Sequence, residues 1–196
     1  MLRRPLVLLA VAAGLAIWAG QKATSRQQFP PDTTPEGAYA RIALSVADRR
    51  VREIFPYLET EAQWAAYTIR DVRKKACARV RASYPPVERE RLLEAWRDEA
   101  EAPDGADVFA ILAVARHWSA RLERDLSGVG HVDIEGQRAT VITARGTRYP
   151  FRMRENGIWG LTVFTAELSA EAERASRDLE VVERDAADYD RVNSAR

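Results

Sequence analysis

The stretch 148-RYPFRMRENGIWGLTVF-164 decides the fold. Asn156-Gly157 is a strong signal for a two-residue hairpin turn, because a type I′ turn needs positive φ at both central positions and these two residues reach it at least cost. Tyr149-x-Phe151-x-Met153 precedes the turn and Trp159-x-Leu161-x-Val163 follows it. Both have the period of two that sends alternate side chains to one sheet face. Upstream, Val132-x-Ile134 and Ala139-x-Val141 repeat the alternation across Glu135-Gly136-Gln137, and Arg145-Gly146-Thr147 supplies the remaining turn. Four short strands in an antiparallel meander result. So small a sheet must bury its apolar face on helices, which places the chain in the α+β class. Trp159 belongs to the buried face. Pro150 interrupts the donor row of the third strand and predicts an edge position or a bulge there.

The 196 residues suit one domain with appendages, and a formal net charge of +1 gives no global field toward nucleic acid. The single cysteine, Cys77, excludes an intrachain disulfide and any multi-cysteine zinc cluster. No Gly-rich phosphate loop, His-Glu-x-x-His helix or Gly-x-Ser-x-Gly elbow is present, and neither a cofactor nor a metal is expected.

Arg3-Arg4 precede an apolar run over 5–20, which reads as a signal peptide or an N-terminal membrane anchor. Residues 21–33 carry Pro30-Pro31 and read as a polar spacer. Thr34 caps the first helix of the domain, with Pro35 at its first position and Tyr39, Ile42, Ala43 and Val46 inward. Val51, Ile54, Phe55 and Leu58 make a second, short helix. Thr60 with Gln63 forms a capping box for a long third helix, whose expected inward stripe is Trp64, Tyr67, Val72, Ala76 and Val80. A charged helical stretch near 82–105 presents Leu92, Leu93 and Trp96 on a narrow face. One further helix is expected over 106–122, with Val108, Phe109, Leu112, Ala115 and Leu122 inward. The domain closes at 165. Residues 166–196 contain no Gly or Pro and carry a heptad seam of Leu168, Ala172, Ala175, Leu179, Val182, Ala186 and Tyr189, an amphipathic C-terminal helix.

Thr34-Pro35-Glu36-Gly37-Ala38 with the helices after it, and the strands from Val132-Asp133-Ile134 through Tyr149-Pro150-Phe151 to Glu155-Asn156-Gly157-Ile158-Trp159-Gly160-Leu161, resemble the opening helices and closing sheet of the nuclear transport factor 2-like superfamily. The likeness is to its small exported bacterial members, which are of unassigned role. It covers about 70 residues. The resemblance implies a curved antiparallel sheet wrapped around helices into a cone. The charged stretch near 82–105 and the C-terminal helix are departures from it.

Enzymes of that superfamily place an Asp or His with a Tyr inside the cone, where desolvation suits general acid–base work. The corresponding candidates are His131, Asp133 and Tyr39. Strand alternation sets His131 and Asp133 opposite the inward Val132 and Ile134, so the bland reading is a solvent-facing pair. His117 lies off the inward stripe of its helix, and Cys77, although flanked by Lys74, Lys75 and Arg79, reads as a buried helix cysteine. Arg148, Arg152 and Arg154 form a basic strip on the third strand that needs acids opposite it. Glu155, with Glu171, Glu173, Asp178 and Glu180 of the C-terminal helix, is the expected source.

These features predict an exported or membrane-anchored, non-enzymatic interaction module of the bacterial cell envelope, periplasmic or on the outer side of the inner membrane. Its interaction residues are Arg148, Arg152, Arg154, Leu179, Val182 and Tyr189, with a protein partner or self-association through the C-terminal helix. An uncleaved N-terminal segment adds a membrane contact. The alternative is a small-molecule or acid–base site in the cone. The targeting reading makes a direct prediction: on cell fractionation the tagged full chain appears in the periplasmic or membrane fraction, whereas a chain lacking residues 1–20 stays in the cytosol. Recovery of both chains in the cytosol contradicts it.

Overall fold

Helix-forming and strand-forming patterns segregate along the chain, and the fold keeps them apart. The structure, a computed structural model, describes residues 29–194. The apolar segment over 1–20 and most of the spacer lie outside the described residues. From Pro31 onward the chain forms one compact unit.

Helix α1 (Pro35–Ala47) begins as its sequence dictates: the Thr34 hydroxyl accepts from Gly37 N–H at 3.1 Å, and Tyr39, Ile42 and Val46 are buried. A 3-10 turn (Val51–Tyr57) follows, burying Ile54 and Phe55. Helix α2 (Thr60–Ser83) departs from the expected stripe. Ala62, Ala65, Ala66, Ile69, Ala76, Cys77 and Val80 face inward, whereas Trp64 and Tyr67 are exposed. The reason is small-residue packing: the alanine-lined side lets helices approach closely, which a tryptophan on that side would prevent. The capping box is also absent. Glu59 is the N-cap, and the Gln63 amide donates instead to the carbonyls of Phe55 and Leu58 at 2.9 and 3.0 Å.

Helix α3 (Pro86–Glu101) returns along α2 with only Ala100 fully buried, so the charged stretch is half of a helical hairpin. The single helix expected over 106–122 is two. Helix α4 (Gly105–Ala115) ends, His117 takes a left-handed φ of 57°, and α5 (Trp118–Asp125) sets off with Trp118 buried. This break stacks Trp118 on Phe164 at 5.1 Å and leaves Ala115, an expected core residue, exposed.

The sheet is an antiparallel meander of β1 (Val129–Glu135), β2 (Arg138–Thr143), β3 (Arg148–Met153) and β4 (Trp159–Leu161), in that spatial order. Ala139, Val141, Tyr149, Phe151, Trp159 and Leu161 form its buried face. Two turn details differ from expectation. Gly157 alone has positive φ, at 79°, while Gly157 N–H donates to Arg154 O and Arg154 N–H to Ile158 O. The connection is therefore a three-residue loop, a turn closed by a left-handed glycine, and not a two-residue I′ turn. Pro150 sits in a central strand. Met153 N–H donates to Gln137 O and Thr143 N–H to Thr147 O, so odd-numbered β3 residues bond β2 and the Pro150 nitrogen faces β4. There Thr162 N–H donates to Pro150 O at 3.0 Å, the proline has no N–H to return the bond, and the β3–β4 ladder ends at Leu161.

Helix α6 (Thr165–Ser194) packs in cis along α2. Val80, Tyr84, Val182 and Ala186 form a second core with Leu92, Leu93, Trp96 and Tyr189 around it. Arg73, 6% exposed, lies in this helical layer between Glu99 of α3 (3.0 Å) and Asp178 of α6 (2.7 Å), with its guanidinium 4.7 Å from the Trp96 ring centre. Val182→Asp buries an unpaired charge between α2 and α6 and is expected to cost about 4 kcal/mol. The resulting loss in Tm is independent of protein concentration, because the seam is intramolecular. A Tm loss that vanishes on dilution contradicts the cis packing.

Candidate functional site

The site is assembled by one close approach of backbone to backbone. After the 3-10 turn the chain is extended at Leu58 and Glu59 and runs beside β4, with Glu59 N–H donating to Leu161 O at 3.1 Å. Gly160 makes this possible. A Cβ there would lie 2.5 Å from Glu59 Cα and 2.9 Å from Leu58 O, both backbone atoms. The Glu59 carboxylate is buried in consequence, accepts from the Thr165 hydroxyl, and lies 3.4 Å from Arg152 Nη1. A buried carboxylate held this way ties the starts of α2 and α6 to β3.

Beside this joint opens a groove of about 740 Å3, with Glu59, Glu61 and Trp64 on the α2 side and Arg152, Met153 and Arg154 on the hairpin side. Trp64 is 67% exposed, and its ring pairs with Tyr67 at 6.3 Å. Arg154 fixes the hairpin wall: Nη1 donates to Pro56 O at 2.7 Å and Nη2 to Gln63 Oε1 at 3.2 Å. Its Nε is buried without a partner, and burial pulls its pKa below the ordinary guanidinium range. An exposed indole, an adaptable thioether and flanking opposite charges therefore meet in one groove.

The acid–base candidates do not converge. His131 and Asp133 lie on the outer face of β1, with Nε2 and Oδ1 2.8 Å apart and both side chains open to solvent. Tyr39 lies on the opposite face of the sheet, buried. Its hydroxyl donates to Ser127 O at 2.6 Å and accepts from Ser127 N–H at 3.1 Å. Its ring meets Tyr149 at 5.4 Å. Burial raises the pKa of both phenols, that of Tyr149 to about 12. Cys77 is buried, and desolvation pushes its thiol up despite the nearby Arg81 and Arg73.

The arginine strip divides among local partners. Arg148 lies 3.9 Å from Asp133, Arg152 meets Glu59, and Arg154 holds the groove wall. The expected acids of α6 are elsewhere: Glu171 pairs with Arg116 and Arg174, Glu173 with Arg177, and Asp178 with Arg73. Of the seam residues, Val182 is buried, Leu179 is half-buried, and Tyr189 packs on Tyr84 at 5.0 Å while donating to Glu88. Sequence reasoning missed Glu59 as a buried joint and Trp64 as a surface residue. The glycine directly after Trp159 was the available signal for the first.

Among the described residues no group of three or more His, Cys, Asp or Glu is placed to hold a metal ion, and no helix is long and apolar enough to cross a membrane. Comparison with protein-family models, curated proteins and solved structures returns no match.

Gly160→Ala forces β4 away from the Leu58-Glu59 backbone, where no flexible side chain can yield. A loss of about 3 kcal/mol in denaturant unfolding is expected, well beyond the effect of Gly128→Ala, where an added Cβ meets nothing within 4 Å. Equal effects of the two substitutions contradict the close approach as the site's foundation.

Proposed function

We propose that this chain is a non-enzymatic binding module of the bacterial cell envelope, of nuclear transport factor 2-like type. In this reading residues 1–20 direct it to, or hold it in, the envelope. The groove beside Trp64 captures an extended segment of a partner protein through an aromatic or aliphatic anchor. The observation that carries the reading is the exposure of Trp64 in a groove whose walls are already braced, by Glu59 on one side and Arg154 on the other. A large aromatic left in water on a braced frame gains binding free energy at a reduced ordering cost on the module's side. The titratable candidates support binding over catalysis, since His131 and Asp133 are separated from Tyr39 by the sheet and cannot act on one substrate.

Selection of the full chain against a random peptide display library tests this reading. Enriched peptides are expected to carry a large apolar residue and to quench tryptophan fluorescence on binding. Their affinity is expected to fall about thirtyfold in Trp64→Ala. The Tm of that variant should hold, because an exposed side chain contributes little to folding. Selected peptides that bind Trp64→Ala as tightly as the parent chain overturn the groove assignment.

A further inference from the structure

Strand β1 is an edge, and it carries a self-complementary pattern. It pairs with β2 on one side only, through Glu135↔Arg138, Asp133↔Thr140 and His131↔Ile142. A two-residue connection at Gly136-Gln137 makes the Glu135–Arg138 pair a hydrogen-bonded one, so odd-numbered residues of β1 spend their backbone groups on β2. The N–H and C=O of Val132 and Ile134 therefore point away from the sheet. Among the described residues no segment pairs with them. The side chains around them are open as well: Ile134 is 56% exposed on the face whose other strands are buried, and His131 and Asp133 are exposed on the outer face. Of the usual protections the edge has two acids, Asp133 and Glu135. It has no proline and no lysine, and its bulge, between Val129 and His131, lies at one end only.

We propose that β1 pairs antiparallel with β1 of a second copy of this chain, about a two-fold axis at Val132, joining two four-stranded sheets into one. Side-chain pairing chooses the register. With the axis at Val132, His131 of each copy lies opposite Asp133 of the other, in both directions, so each carboxylate stands between two imidazoles. Moving the axis one residue sets His131 against its own copy, or Asp133 against its own copy, and like groups directly opposite are unfavourable. Backbone parity agrees, since Val132 is an outward-bonding residue and forms a reciprocal pair with itself. Ile134 of each copy then lies opposite Gly130 of the other, and the pairing shields it from water.

Register-specific crosslinking of the full chain tests the proposal. Single cysteines are introduced in turn at residues 129–135, with Cys77 left in place because it is buried, and disulfide formation is driven with a mild oxidant. The expected result is a dimer band that peaks at Val132→Cys and is at least fivefold weaker at Val129→Cys and Glu135→Cys. A second set removes dependence on any one cysteine. In the Val132→Cys background, His131→Asp or Asp133→His alone lowers the dimer fraction severalfold, and the exchange of both residues together restores it. A flat crosslinking profile, a peak at another residue, or a double exchange no better than the singles overturns the pairing. Association through any other surface gives one of those results.

Discussion

The approach of the Glu59 backbone to Gly160, close enough that no Cβ fits between them, is the constraint on which the rest depends. It sets where α2 begins relative to β4, and α2 in turn templates both α3 and α6. The interaction is made of ordinary parts: one backbone hydrogen bond, a parallel bridge from Leu58 to Leu161, and a buried carboxylate with a hydroxyl and a guanidinium near it. A buried carboxylate is costly unless its oxygens are engaged, and here both are. The groove beside Trp64 is a by-product of this geometry, because the hairpin and the helix start are held side by side without filling the space between them.

A second polar device governs the helical layer. Arg73 is buried among α2, α3 and α6 with acids from both neighbours and an indole beneath it. Such an arrangement adds little net stability, since desolvation offsets much of the Coulomb gain. Its effect is on alignment. The alanine-rich seam of α6 would tolerate several axial positions on α2, but a shift of one turn removes Asp178 from Arg73 and leaves a buried cation half-paired.

Much of the fold was legible in the sequence because it is written in local chemistry. Thr34-Pro35-Glu36 specified a helix start, period-two alternation specified four strands, and turn glycines specified their order. The misreading of α2 has a clear cause. Trp64 and Tyr67 look like core residues by hydrophobicity, yet the inward side of α2 was chosen by close helix approach, a property of α6 more than a hundred residues away. Residue type alone cannot rank Ala66 above Trp64 for burial. The turn at Asn156-Gly157 failed for a subtler reason: the strands it joins pair at Arg154 and Ile158, which leaves three residues in the loop. The candidate site was less legible than the fold. His131, Asp133 and Tyr39 could be proposed from residue type, but only the sheet shows that they face opposite ways. Glu59 and Arg154 acquire their roles from contacts that span 91 to 106 residues of chain.

The pairing of α2 with α6 has a consequence for how this chain comes into being. Arg73 and Asp178 are 105 residues apart, and the side chains that cover Val80 and Tyr84 come from the last turns of the final helix. Closing so long a loop is slow relative to forming the local hairpins between. During synthesis, therefore, α2 and α3 emerge as a helical pair with an uncovered apolar strip and an arginine paired to Glu99 alone, and they stay so until α6 has followed. A chain cut just before residue 165 keeps its sheet and its turns but leaves this strip without the helix that covers it.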